Sequence, residues 1–248
     1  MLITKSQVKY IQSLAHKKFR DAEGVFVVEG PKVMLEMLMD PLLRPRQVYA
    51  VRDWIGQLSP ELGKRLKTGP LVEVGEAELE RLSALATPNQ VVAIFEKPVF
   101  APPEWASGVH LVLDGIQDPG NLGTIVRLAD WFGLSTVVAS PDSADVFNSK
   151  AVQSTMGSIG RVNVCYQDPV PLLYQAGLPV YAAVLEGDSV YGLGPVRQGF
   201  IVIGNESRGV GRGLLELATR RITIPRIGQA ESLNAAVATG IILSHLVG

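Results

Sequence analysis

The sequence predicts an α/β protein in two parts, and three observations predict it. Short apolar runs alternate with helical repeats along the whole chain. In the second half those runs do not alternate with polar residues, which marks parallel strands covered on both faces, as in doubly wound folds. Between the halves, KPVFAPPEWASG carries three prolines and little periodicity, and reads as a linker. Domains are therefore expected over residues 1–97 and 108–248, joined by residues 98–107.

The elements follow in order. SQVKYIQSLA places Val8, Ile11 and Leu14 at helical spacing, with Ser6 as the N-cap. GVFVVEG reads as a buried strand, and PKVMLEMLM as a helix opened by Pro31 at its first position. QVYAV (strand), PELGKRLK (helix), LVEV (strand), EAELERLSAL (helix) and QVVAIFE (strand) complete the first half. The second half gives strands at VHLVLDG, STVVAS, VNVCY, PVYAAV, FIVIGNE and RITIP. Helices are expected at NLGTIVRLADWFG, SKAVQSTMGSIG, PVPLLYQAG, GRGLLELA and SLNAAVATGIILSHL. No long-period repeat suggests a solenoid.

Composition narrows the function classes. A chain of 248 residues, 47% hydrophobic and 19% charged, can bury a core and is not disordered. No apolar run approaches the roughly 20 residues that span a bilayer, and the start lacks the compact apolar stretch of a secretory signal. A cytoplasmic protein without a membrane partner is expected. The single cysteine, Cys165, excludes an internal disulfide and a cysteine-rich zinc site, and in VNVCY it reads as a buried thiol. No metal is expected. A net charge of −1 argues against a protein that coats nucleic acid. The first twenty residues nevertheless carry Lys5, Lys9, Lys17, Lys18 and Arg20 with no acid among them. A local basic patch suits an enzyme that releases its RNA product; a solvated helix and turn explains the charges equally well.

In parallel α/β sheets, ligands bind beyond the carboxyl ends of strands, so informative residues should follow the strands. Three segments stand out there. In LDGIQDPGNLGTIVRLADWFG, Asp118 to Asn121 make a tight turn, Asn121 is able to cap the next helix, and Arg127 follows six residues later. A surface ion pair is the plain reading of Arg127, and a phosphate contact is the functional one. In IVIGNESRGVGRG, Gly204 ends a strand, Glu206 lies beyond it, and glycines at 204, 209, 211 and 213 would let backbone amides approach a ligand. The spacing fits neither a dinucleotide fingerprint nor a P-loop, and Ser207 is not in a nucleophile elbow. In ITIPRIGQAESLNAAVATG, Ser232 and Asn234 open the last helix, with Ser232 as a candidate cap.

Together and in this order, the three segments closely resemble the signature motifs of the SpoU (TrmH-like) 2′-O-ribose RNA methyltransferases of the SPOUT superfamily. DPGNLGTIVRLADWFG matches the first motif, IGNESRG the second and IPRIGQAESLNAAVA the third. Two departures are Arg226, where the family usually has methionine, and Ser207, where many members have glycine. The first half resembles the substrate-binding domain often joined to these enzymes, an α/β/α sandwich similar to a large-subunit ribosomal protein. Its opening includes Phe26, Glu29 and Gly30.

The resemblance implies a deep trefoil knot and S-adenosylmethionine held largely through backbone groups. The cofactor positions are Gly204, Ile224, Leu233 and Leu185 with its neighbours Glu186 and Gly187, and Gly209 joins them. It implies a homodimer in which one subunit's Arg127 serves the other's site. The catalytic set it implies is Arg127, Asn121, Glu206, Ser232 and Asn234. Guanidinium groups stay protonated, so Arg127 is expected to hold a phosphate and stabilise a developing alkoxide rather than act as a base. Asn121 would orient the ribose or Arg127, Glu206 would fix its loop and accept a proton or hydrogen bond, and Ser232 and Asn234 would hold the third loop. The expected partner is structured RNA, ribosomal ahead of transfer RNA, with no DNA. Three alternatives stay open: a base methyltransferase of the same superfamily, a non-catalytic RNA-binding scaffold, and a dinucleotide-dependent oxidoreductase.

Overall fold

The computed structural model describes residues 3–67, 69–84 and 89–248. By contact, the chain divides into two units: Met1–Val99 with Phe147–Gly160, and Phe100–Val146 with Arg161–Gly248. The break at Val99 lies in the proline-rich stretch. Residues 147–160, expected in the second domain, cluster with the first unit.

The first unit runs α1 (Lys5–Ser13), α2 (Lys17–Glu23), β1 (Val25–Glu29), α3 (Pro31–Met39), β2 (Pro45–Ala50), α4 (Arg52–Gly56), α5 (Pro60–Lys67), β3 (Leu71–Glu73), α6 (Glu76–Leu82) and β4 (Val91–Glu96). Its sheet has the order β1-β4-β2-β3, with β4 antiparallel to both β1 and β2, and β2 parallel to β3. β4 is buried along nearly its whole length, so both of its faces are covered, and α3 and α6 pack against it. Phe26 stacks on Phe95 and Phe147, with ring centroids 5.9 and 5.2 Å apart. Glu29 is buried and accepts from the Ser83 hydroxyl and the Ala84 amide.

Several local expectations change here. Thr4, not Ser6, caps α1, in a reciprocal pair with Gln7 that satisfies two free amides. Arg20 is not part of a basic surface: it is buried, and its Nη1 donates to the carbonyls of Leu14 and Ala15 just past α1. The helix expected over EAELERLSAL is seen over Glu76–Leu82, and Leu85 lies outside the described residues. α2 and α4 have no counterpart among the expected elements; at seven and five residues they are too short to show a period.

The second unit continues with β5 (Val109–Asp114), α7 (Pro119–Trp131) and β6 (Thr136–Ala139). After it come α8 (Ser149–Thr155), which clusters with the first unit, then β7 (Asn163–Tyr166) and α9 (Pro169–Ala176). The last elements are β8 (Val180–Ser189), β9 (Gly199–Gly204), α10 (Arg212–Leu217), β10 (Arg220–Thr223) and α11 (Ala235–Leu246). The strands form one six-stranded sheet in the order β10-β8-β9-β5-β6-β7, and every pairing is parallel. Uninterrupted apolar strands pack on helices: Val112, Val202 and Phe200 meet Leu173 and Leu214 in one core cluster. α11 packs on α7, where Gly240 faces Leu128. Gly133, at φ +73°, ends α7 in a left-handed turn. Cys165 lies on β7 as expected but is only half-buried; burial raises its thiol pKa, which disfavours the thiolate. Among the described residues no helix is long and apolar enough to cross a membrane.

Candidate active site

The strand order reverses between β5 and β9. From β5 the chain winds outward to β6 and β7, while β8, β9 and β10 fill the other side. Asp114 at the end of β5 pairs with Gly204 at the end of β9, so the loops after these strands leave side by side. This is where an open parallel sheet leaves a crevice for a ligand.

The loop after β5 enters α7 through Asp118, whose side chain accepts from the Asn121 amide at 2.8 Å. Asp118 followed by Pro119 is a strong helix start, because proline loses nothing at a position whose N–H has no helical partner. Asn121 is therefore inside the first turn rather than the cap, and its side chain is available for other partners. Its Nδ2 donates to Glu206 Oε1 at 2.6 Å, and its Oδ1 accepts from Asn234 Nδ2 at 2.9 Å. Asn234, not Ser232, caps α11, accepting from Ala236 and Val237 amides at 3.0 and 3.3 Å. One asparagine thus joins three strand-end loops.

Beside this triad opens a cavity of about 650 Å³. Leu185, Gly204, Gly209, Ile224 and Leu233 all line it, as do Glu206 and Ser232. Leu185 lies in an irregular stretch of β8: Ala182 pairs with Arg221, yet the next pair is Asp188 with Ile222, and of the residues between, Ala183, Val184 and Leu185 line the cavity. Gly187 permits this, since a Cβ there would lie 2.6 Å from the Arg221 carbonyl oxygen. Gly204 likewise admits no side chain, because a Cβ would meet the Gly209–Val210 peptide at 2.3 Å. Gly211 and Gly213 do not line the cavity: the Gly211 amide donates to Asp114, and Gly213 packs near Val170.

Arg127 stands apart from the triad. It is exposed on α7, does not line the cavity, and makes no hydrogen bond or ion pair among the described residues. Six residues along a helix is about 9 Å of rise and roughly 120° of rotation away from Asn121. Sequence reasoning also passed over Asn205. Its Oδ1 accepts from the amides of Ser207 and Arg208, and its Nδ2 donates to the Gly115 carbonyl at 2.7 Å. An asparagine at a strand end, two residues before a serine, is a recognisable side-chain-closed turn.

The cavity suits S-adenosylmethionine. Ile203, Val210, Ile222 and Ile242 give it apolar walls for a flat base, while the acids Glu206 and Glu231 and the cations Arg208 and Arg226 line it too. That donor set matches a ligand with both cationic and carboxylate groups. Among the described residues no cluster of histidine, cysteine and acid is able to hold a metal ion.

Comparison with known proteins agrees. Residues 108–244 match the SpoU rRNA Methylase family, and residues 5–93 match the MRM3-like substrate binding domain. The chain is 33% identical to the 23S rRNA (guanosine(2553)-2′-O)-methyltransferase RlmP of Bacillus subtilis, over 98% of this chain and 96% of that protein. A solved TrmH-family structure from Porphyromonas gingivalis superposes with a TM-score of 0.84 at 37% identity, covering 99% and 98% of the two chains. An AdoMet-bound rRNA methyltransferase from Sinorhizobium meliloti gives 0.83 at 28% identity, covering 98% and 94%. With these motifs on the converging strand ends of a parallel sheet, the chain belongs to the SpoU rRNA methylase family.

Proposed function

We propose that the protein transfers a methyl group from S-adenosylmethionine to a ribose 2′-hydroxyl of structured RNA, with ribosomal RNA as the favoured substrate. The observation that carries this reading is the Asn121–Glu206–Asn234 triad, set on the rim of the cavity and open to solvent.

The cofactor supplies a methyl group on a positively charged sulfur, which is already an activated donor. The protein's task is placement and charge. Holding two reactants in line is worth several kcal/mol by itself. Asn121 uses both ends of its amide on protein partners, which fixes Glu206 at the cavity edge. Glu206 accepts the hydrogen bond or proton of the incoming hydroxyl. Ser232 contributes its hydroxyl to the wall, and Asn234 anchors the third loop.

Arg127 acts from a second subunit in this reading. It is about 1.7 turns of helix away from Asn121, on a different face, and its charge is suited to a phosphate beside the reacting ribose. α7 and α11 pack on each other and leave Trp131 82% and Val237 52% exposed, the kind of apolar surface that a partner copy covers. The same reading includes a deep trefoil knot. Its support is the path of the chain, which passes from edge strand β10 to α11, packed on the helix that follows central β5.

The test compares wild type with Asn121→Ala, using labelled methyl donor and total RNA from a strain lacking the protein. Wild type labels RNA, whereas the variant binds donor normally and transfers about 10²-fold more slowly. Equal transfer by the two contradicts the reading. For Arg127, inactive Arg127→Ala and Asn121→Ala proteins are mixed so that subunits exchange. Sites shared between subunits recover about a quarter of wild-type activity, and sites within one subunit recover none.

A further inference from the structure

Glu206 sits on an exposed turn, and an exposed carboxylate samples several rotamers unless the turn that carries it is fixed. The Asn205–Gly209 turn is closed internally: Asn205 and Gly209 exchange backbone hydrogen bonds of 3.1 and 2.8 Å. Internal closure makes the turn stiff but does not tie it to the sheet. Two side chains do that, one on each side of Glu206.

Asn205 Nδ2 holds the Gly115 carbonyl, as described above. On the other side, Arg208 Nη2 donates to Asp142 Oδ2 at 3.2 Å. Asp142 Oδ1 accepts from the Ser140 hydroxyl at 2.6 Å, and Ser140 Oγ in turn accepts from the Gly115 amide at 2.8 Å. The connections close on themselves: Gly115, Ser140, Asp142, Arg208, the turn, Asn205 and Gly115 again. Both backbone polar groups of Gly115 are gripped, and that residue leads into Asp118 and Asn121. Gly115 is required at the centre, having φ +71°, and a Cβ there would lie 3.2 Å from both Arg208 Nη2 and Asp142 Oδ2. The Ser140 hydroxyl, and then Arg208, hold the Asp142 carboxyl below the usual carboxylate range, so it stays ionised at neutral pH.

We propose that Ser140, Asp142 and Arg208 are positioning residues for methyl transfer, closing a hydrogen-bonded ring around Gly115 that keeps Glu206 against Asn121. For its effect on rate, this rests on the ribose-methyltransferase reading. The ring is not a large stabilising element. The Arg208 and Asp142 side chains are 65% and 53% exposed, and ion pairs of that kind contribute little to folding. Its effect is on geometry at the site.

Arg208→Gln and Asp142→Asn test this, with Arg212→Gln as the control. Arg212 makes a similar exposed pair, with Glu216, but touches neither loop. Two readouts are taken: hydrogen exchange at the backbone amides of positions 207 and 208, and methyl transfer to RNA. The ring predicts that both variants exchange about tenfold faster and turn over about tenfold more slowly, with melting temperature nearly unchanged and the control like wild type. It also predicts that Asp142→Asn combined with Glu206→Gln is no slower than Glu206→Gln alone, since the ring acts through Glu206 and Asp142 does not line the cofactor cavity. Unchanged exchange overturns the ring. Faster exchange with unchanged turnover, or losses that multiply in the double variant, overturns its positioning role. If wild type itself labels no RNA, the functional reading falls, while the exchange measurement still decides the ring.

Discussion

In the first unit β4 runs antiparallel to both neighbours, so adjacent strand ends there point to opposite edges of the sheet. In the second unit every pairing is parallel, and all six carboxyl ends face one edge. Both sheets are apolar and both are covered by helices. The parallel one brings the loops after β5, β9 and β10 together at that edge, joining Asn121 to residues 85 and 113 positions away. The difference teaches that strand direction, more than composition, decides which unit is able to assemble a reaction centre. The mixed sheet is left to present a surface.

Phe26→Ala removes the ring shared by Phe95 and Phe147, and should cost about 4 kcal/mol in denaturant unfolding. Donor affinity, measured well below the transition, should not change; a matching loss would mean that the units do not divide the work. Glu206→Gln should lower turnover about 10²-fold with little effect on melting, because its partners lie at a solvent-facing rim. Asn234 has two jobs that a pair of variants separates. Asn234→Ala loses the α11 cap, about 1 kcal/mol, together with the donor to Asn121. Asn234→Asp keeps the cap but has no donor, so stability returns while turnover stays low. Recovery of both would remove the Asn234–Asn121 bond from the account.

The smallest effect expected is in pH dependence. His110 is buried beside Trp105 and Phe200, and burial lowers its pKa despite the Ser107 carbonyl. Its folded state therefore resists protonation that the unfolded chain accepts. Below the ordinary histidine pKa of about 6.5 the unfolded state binds more protons, so stability falls as pH drops through that value and is full above it. Melting temperature at about pH 5.5 relative to about pH 7.5 should fall less in His110→Phe than in wild type. An equal fall in both would place the titrating group elsewhere.

Much of this is legible in the sequence because each signal is local. Apolar runs mark the strands, and the turn-forming stretches between them mark the loops that carry the motifs. Helix caps are less legible. Where several capping residues cluster, as at Asp118 to Asn121 or Ser232 to Asn234, sequence does not say which one the backbone uses. Arg20 misleads for a related reason: a charge next to a helix end is as able to fold back on carbonyls as to face solvent. The glycine-rich stretch looks uniform, yet Gly204 is required by its own loop, Gly211 by Asp114, and Gly209, at φ +69°, by the turn. The Ser140–Asp142–Arg208 connection is not legible at all. It joins two loops 66 residues apart through side chains with no shared motif.

The central claim is transfer to a ribose oxygen, and nucleoside analysis tests it most directly. RNA labelled by the wild-type protein is digested completely, and the nucleosides are separated. The account predicts that the label is in a 2′-O-methylnucleoside and disappears with Asn121→Ala. Label on a base would contradict it, even with the cofactor and the fold unchanged.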